Sequence, residues 1–198
     1  HNKYGKLPWQ TLFSEAISLS EKGFVVSPRL EKLISLNINP GVQLFDTTRD
    51  YFMPQGKALK AGTTKVNKPL AQFYRELAAG GSAVFYQGEN ASKLTKTVQN
   101  AAIAPGTLST HDLKHYQSIE RKPVCAPYKE YSICSMAPPS SGGIAVLQIM
   151  ALLEHSNAEL NLDWDIDSIH QFTQASRLAF ADRNHFIADP DFVPVPIK

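Results

Sequence analysis

The segment Ser135-Met136-Ala137-Pro138-Pro139-Ser140-Ser141-Gly142-Gly143 constrains the fold more than any other stretch of the chain. Its two prolines can neither donate to a ladder nor continue a helix, its serines are of the type that caps helices, and its glycines let backbone approach backbone. Before it, residues 124–135 alternate and read as a hairpin turning at Tyr128-Lys129-Glu130-Tyr131. After it, the apolar run from Ile144 to Leu153 reads as a helix ending near Glu154 or His155. The chain must therefore pass from strand to helix through a fixed turn, with Ser140 or Ser141 expected to cap the helix.

Most of the remaining sequence is helical in pattern. Leu7-Pro8-Trp9 opens a helix in which Trp9, Leu12, Phe13, Ala16, Ile17 and Ser20 share one face, and Gly23 stops it. Trp9 and Phe13 read as core packing. Phe24-Val25-Val26 is a connector, and Ser27 caps a second helix carrying Leu30, Leu33 and Ile34. Residues 37–62 read as loop with one short helix near 42–45. Asn67-Lys68-Pro69 begins a helix burying Leu70, Phe73, Tyr74 and Leu77 and ending at Gly80-Gly81. A further helix is expected over about 89–103, and Ser109 with Asp112 has the spacing of a capped short helix. Residues 157–167 read as a polar loop containing Trp164. Asp167-Ser168 caps the last helix, with Ile169, Phe172, Ala175, Ser176, Ala179 and Phe180 on one face, and Asp189-Pro190-Asp191-Phe192 begins an extended exit.

The expected fold class is α+β, predominantly helical with one β-hairpin. The expected organisation is a mainly helical part over 1–118, the hairpin over 119–137, and turn, helices and exit over 138–198. Two strands alone are marginally stable, so the hairpin is expected to join a sheet made by other segments. The start at His1 suggests a processed or excised piece.

Composition narrows the function classes. A net charge of +2 over 198 residues leaves no electrostatic footprint for nucleic acid. No apolar run reaches the ~18–20 residues that span a bilayer. The two cysteines, Cys125 and Cys134, face each other if the hairpin turns at Lys129-Glu130. A cross-strand disulfide is then conceivable, but directly opposed cysteines usually give strained geometry, so two small buried thiols are the better reading.

Candidate chemistry is sparse. His111 and His115 stand at i and i+4, a spacing that can place two imidazoles on one face for a metal, but no third ligand is close in sequence and a solvated face is preferred. Asp182, Asp189 and Asp191 lack the calcium-loop spacing and read as capping groups or partners of Arg177 or Arg183. Arg121-Lys122-Pro123 reads as a solvated lead-in. Thr47-Thr48 and Thr63-Thr64 read as loop threonines. Ser140 and Ser141 have no Gly-x-Ser-x-Gly elbow and no nearby histidine in sequence. No catalytic, cofactor-binding or metal-binding set emerges, and no cofactor is expected.

Pro138-Pro139-Ser140-Ser141-Gly142-Gly143 leading into Ile144-Ala145-Val146-Leu147-Gln148-Ile149 resembles the PPSSGG signature of the gamma-glutamyltranspeptidase heavy chain. The stretches from Gly5 to Trp9 and Gly23 to Pro28, residues 56–62, the Phe85-Tyr86-Gln87-Gly88 turn and Asp189-Pro190-Asp191-Phe192 are also similar to that family. The likeness runs from about Gly5 to Val195. It departs at Ala137, at His111 and His115, and in the loops around 37–50 and 157–165.

This resemblance implies part of an N-terminal nucleophile hydrolase, an αββα sandwich shared between heavy and light chains of one autoprocessed precursor. It implies cleavage of gamma-glutamyl amides, as in glutathione, through an acyl-enzyme resolved by water, an amino acid or a peptide. The threonine nucleophile, the donor-binding groups and the oxyanion-hole glycines would lie in the light chain, and the arginine for the substrate carboxylate upstream. The segment itself is then structural. Related acylases and capsule-processing enzymes share the scaffold, and a non-enzymatic helical protein-binding module is the competing reading. The family also implies a periplasmic or secreted location, and an uncovered hairpin implies self-association of the isolated segment, such as a homodimer.

Overall fold

The computed structural model describes residues 1–156 and 165–196. The expected loop containing Trp164 lies outside the described residues, apart from its last positions. The chain divides into two compact units, His1–Gln117 and Ser118–Lys198.

In the first unit, a 3-10 turn (Trp9–Phe13) leads into α1 (Ser14–Lys22). Gly23, at φ 90°, ends α1 where a side chain is excluded, because a Cβ would meet Thr64 Cγ2 and the Lys65 carbonyl at 2.5 and 2.8 Å. The chain then enters β1 (Phe24–Val25), which pairs antiparallel with β2 (Thr64–Lys65). The segment read as a connector is thus a short strand, and Thr64 belongs to its partner. Val26 extends the pairing, donating to the Thr63 carbonyl and accepting from the Gly62 amide. Its side chain is fully buried beside Ile34 and Leu59.

The helix α2 (Pro28–Ser35) starts as expected, with Ser27 Oγ accepting from the Leu30 amide at 3.1 Å. The expected short helix is α3 (Gly41–Leu44). A second helix, α4 (Asp46–Phe52), follows where loop was expected, so Thr47-Thr48 is helical. Its own apolar spacing is weak. Tertiary packing supports it instead, because Phe52 and Met53 rest on the Val26–Ile34–Leu59 cluster.

The helix α5 (Lys68–Gly80), capped by Asn67, packs against α1. Trp9 is part of that packing. Its indole N–H donates to the Leu77 carbonyl at 3.0 Å, and its ring meets Phe13 edge-on. An Arg75–Glu21 ion pair crosses the same interface and holds the Glu21 carboxyl below its usual range. The short α6 (Ala83–Tyr86) and α7 (Gly88–Gln99) follow, α7 ending about one turn before the expected limit. The helix α8 (Thr110–His115) carries the expected capping box between Ser109 and Asp112.

In the second unit, β3 (Val124–Tyr128) and β4 (Tyr131–Ser135) form the hairpin in the expected register, with Tyr128 opposite Tyr131. One hairpin face packs on α9 (Gly142–His155), which packs on α10 (Ile166–Phe186). The α10 cap is Asp165, whose carboxylate accepts from the Ser168 amide at 2.8 Å, two residues earlier than expected. The inward face of α10 also differs from the expectation. Ser168, Ala175 and Ala179 are buried, whereas Ile169, Phe172 and Phe180 remain exposed. Small residues let α10 approach α9 closely and turn the larger side chains outward.

The molecule is predominantly helical α+β. Among the described residues each sheet has two strands.

Candidate functional site

Hairpin, turn and helix meet at Pro138–Gly143. Pro138 is fully buried and joined to Pro139 by a cis peptide bond. Gly143 sits against the preceding backbone, so a Cβ there would collide with the Met136 carbonyl oxygen and crowd Ser135 Cβ at 3.1 Å. Gly142 has room, its nearest neighbour being Ser140 Oγ at 4.0 Å. Of the two glycines, only Gly143 is sterically required.

The expected serine cap does not form. Ser141 occupies the N-cap position in a helical conformation (φ −84°, ψ −17°) instead of the extended one that aims the hydroxyl at the N2 or N3 amide. Its Oγ instead accepts from Arg183 Nε of α10 at 3.1 Å. A guanidinium stays protonated and cannot accept a proton from a serine. The contact pins the turn to α10 without activating Ser141 as a nucleophile.

Beside this turn, Ile144, Leu147 and Ala151 of α9 open with β3 and Phe186 onto a cavity of about 450 Å³. Gln148 reaches into the same wall, donating to Asp182 Oδ2 at 3.2 Å, while its buried Oε1 has no hydrogen-bond partner. In the first unit, a wider groove of about 840 Å³ lies between α5 and α6–α7. Its carboxylates already have partners. Glu76 accepts from Gln72 and Asn90, which together hold its carboxyl below the usual range, and Glu89 pairs with Lys93 at 2.7 Å.

The three aspartates do not converge. Asp182 bonds Gln148, whereas Asp191 and Asp189 lie 2.6 and 3.8 Å from Arg121. The expected partners are engaged elsewhere, Arg177 with Gln174 and Arg183 with Ser141 and Asn184. Arg121 is accordingly a largely covered ion-pair residue, not a solvated lead-in, and the Asp191 hydrogen bond raises its pKa further. The exit segment reaches it across 70 residues of chain, which sequence spacing could not reveal.

Cys125 and Cys134 also depart from expectation, since they form a disulfide. Counted from the turn, paired positions alternate between hydrogen-bonded and narrow non-hydrogen-bonded pairs, and 125–134 falls on a narrow one. Both Cβ atoms point to the same outward face, and the Cα atoms are 4.1 Å apart. The cysteines are exposed instead of buried.

His111 and His115 do share a face, with ring centroids 3.9 Å apart. Among the described residues, no group of three or more His, Cys, Asp and Glu is placed to hold a metal ion. No helix there is long and apolar enough to cross a membrane.

A family model described as gamma-glutamyltranspeptidase matches residues 1–198. The chain belongs to the gamma-glutamyltranspeptidase family. It is 31% identical over 195 residues to a glutathione hydrolase proenzyme of Escherichia coli strain K12, covering 98% of this chain and 33% of that protein. To a glutathione hydrolase proenzyme of Bacillus subtilis strain 168 it is 33% identical over 201 residues, covering 100% of this chain and 33% of the relative. The crystal structure of Helicobacter pylori gamma-glutamyltranspeptidase is similar at a TM-score of 0.85 and 33% identity, over 98% of this chain and 55% of that one. An acylase ACY 1 proenzyme of Pseudomonas sp. strain SE83 is 32% identical, covering 98% of this chain and 34% of the relative. The chain thus spans about a third of the length of these curated relatives. Its predominantly helical α+β fold is that of the gamma-glutamyltranspeptidase structures within the N-terminal nucleophile hydrolases.

Proposed function

We propose that this chain is part of the heavy chain of a gamma-glutamyltransferase or glutathione hydrolase, and that it acts as scaffold instead of supplying the reacting groups. The family match over residues 1–198 carries this reading. The Ser141–Arg183 contact supports the scaffold role, because the turn's serine is bonded to a cation that cannot act as a base.

In the proposed reaction a threonine hydroxyl of the light chain attacks the gamma-glutamyl amide carbon. The threonine's own α-amine takes the hydroxyl proton, and backbone amides hold the oxyanion. Proton return expels the amine, and water, an amino acid or a peptide then takes the gamma-glutamyl group from the ester. The partner is accordingly the light chain of the same autoprocessed precursor, and no catalytic residue is assigned to positions 1–198. The proenzyme descriptions of the relatives support such processing. The Cys125–Cys134 disulfide supports a periplasmic or secreted location, where the bond persists without reduction by cytosolic thiols.

The test is expression of the full-length protein alongside residues 1–198 alone. Self-cleavage into two chains and release of p-nitroaniline from gamma-glutamyl-p-nitroanilide are expected of the former and absent from the latter. A full-length protein with neither activity would overturn the transferase reading. The ACY 1 match favours one second reading, an acylase on the same scaffold. Release of a beta-lactam side chain, with no action on glutathione, would select it.

A further inference from the structure

Two histidines on α8 form a juxtaposition that the scaffold role does not use. The rings of His111 and His115 lie 3.9 Å apart between centroids, inclined by 30°. His115 Nδ1 is 2.8 Å from the His111 carbonyl oxygen. A carbonyl can only accept, so Nδ1 carries the proton and the lone pair of the neutral ring is on Nε2. That is the arrangement found in metal-ligating histidines, whose second ring nitrogen donates to a carbonyl or carboxylate and fixes tautomer and orientation.

The platform is also held in place. The Ser109–Asp112 capping box secures the start of α8, Leu113 is buried beneath it, and Tyr116 stacks on Tyr86 at 5.6 Å. Both histidines border a cavity of about 440 Å³ that includes Thr110, Gln87 and Tyr86. Its open side leaves room for water in the remaining coordination positions.

We propose that His111 and His115 form a surface two-imidazole site for a divalent transition metal, completed by water, with Cu(II) bound in preference to Ni(II) or Zn(II). Imidazole suits all three ions, and the general affinity order favours copper. Two protein ligands make this an exchangeable site, distinct from a closed structural one. It is independent of the proposed transferase activity.

The test uses Cu(II) alone, titrated into the full-length protein containing this chain and followed by calorimetry and electron paramagnetic resonance. One Cu(II) should bind here, with splitting from two imidazole nitrogens. His111→Asn and His115→Asn should each weaken binding more than ~10-fold, since losing even an outer-shell partner of a metal ligand costs about that much. His170→Asn should leave it unchanged. Circular dichroism of the variants should match the parent, since both rings are exposed. As a second readout, Ni(II) should raise the Tm of the parent and not of the double variant. Undiminished Cu(II) binding in His111→Asn/His115→Asn, or a one-imidazole spectrum in the parent, would overturn the proposal.

Discussion

At Gly143, the preceding strand's backbone occupies the space of a side chain, so a single methyl is a decisive probe. Gly143→Ala forces a Cβ onto the Met136 carbonyl and should cost at least ~2–3 kcal/mol, the upper range for overpacking a tight site. Gly142→Ala, which meets nothing nearer than 4.0 Å, should be neutral or slightly stabilising. Urea unfolding of the two variants separates these outcomes, and equal midpoints would refute the steric argument. Asp112 offers a pH test. Hydrogen bonds from the Ser109 side chain and then its backbone amide lower its carboxyl pKa. A folded value below the unfolded one of ~3.9 means the contribution is present above pH ~4 and is lost as pH falls through the folded value. Asp112→Asn should therefore reduce stability near pH 6 and flatten its decline below pH 4, as read from Tm between pH 2 and 7. These two residues differ in legibility. The capping box follows from spacing within one turn of chain. The need for glycine at 143 instead of 142 depends on where the strand passes.

At the scale of elements, the hairpin joins local and long-range influences. Its register was readable because the turn at Lys129-Glu130 sets every pair, and that register sets Cys125 beside Cys134. The sequence leaves the bond itself open, because pattern alone does not distinguish an outward narrow pair from two buried thiols. Closing a loop of sequence separation 9 should stabilise the hairpin by about 2–3 kcal/mol in the chain-entropy account. Native protein should show no free thiol from this pair toward Ellman's reagent. Reduction with alkylation should lower the unfolding midpoint and raise amide exchange in β3 and β4. Two reactive thiols before reduction would rule out the bridge. The helix α4 illustrates the opposite limit. Residues 46–52 contain few apolar positions, and Phe52 and Met53 gain their support from Val26, Ile34 and Leu59.

At the scale of the whole molecule, each unit has its own elements, yet the second leaves much apolar surface uncovered. Ile169, Phe172, Leu178 and Phe180 of α10 are 47%, 37%, 58% and 50% exposed, and the hairpin retains two unpaired edges among the described residues. Such surface and edges favour association with another polypeptide segment. Residues 1–198 produced alone should therefore dimerise or aggregate and bind an apolar dye, whereas the full-length protein should not. Light scattering after gel filtration makes the comparison, and a dye-silent monomer would count against a shared fold.

The amino-acid sequence determined by itself what neighbouring residues decide: the helix starts at Ser27, Asn67 and Ser109, the stop at Gly23, the hairpin turn, and the strand-to-helix passage through Pro138–Gly143. That last segment also carried the family likeness. Caps, turns and proline restrictions act over a few residues, so they can be read in one dimension. Only the tertiary structure decided that Ser141 serves Arg183 instead of its own helix, that Arg121 meets Asp189 and Asp191, and that α10 buries its alanines. Those outcomes depend on which segments pack together across tens of residues, where hydrogen-bond geometry and close helix approach override local preference.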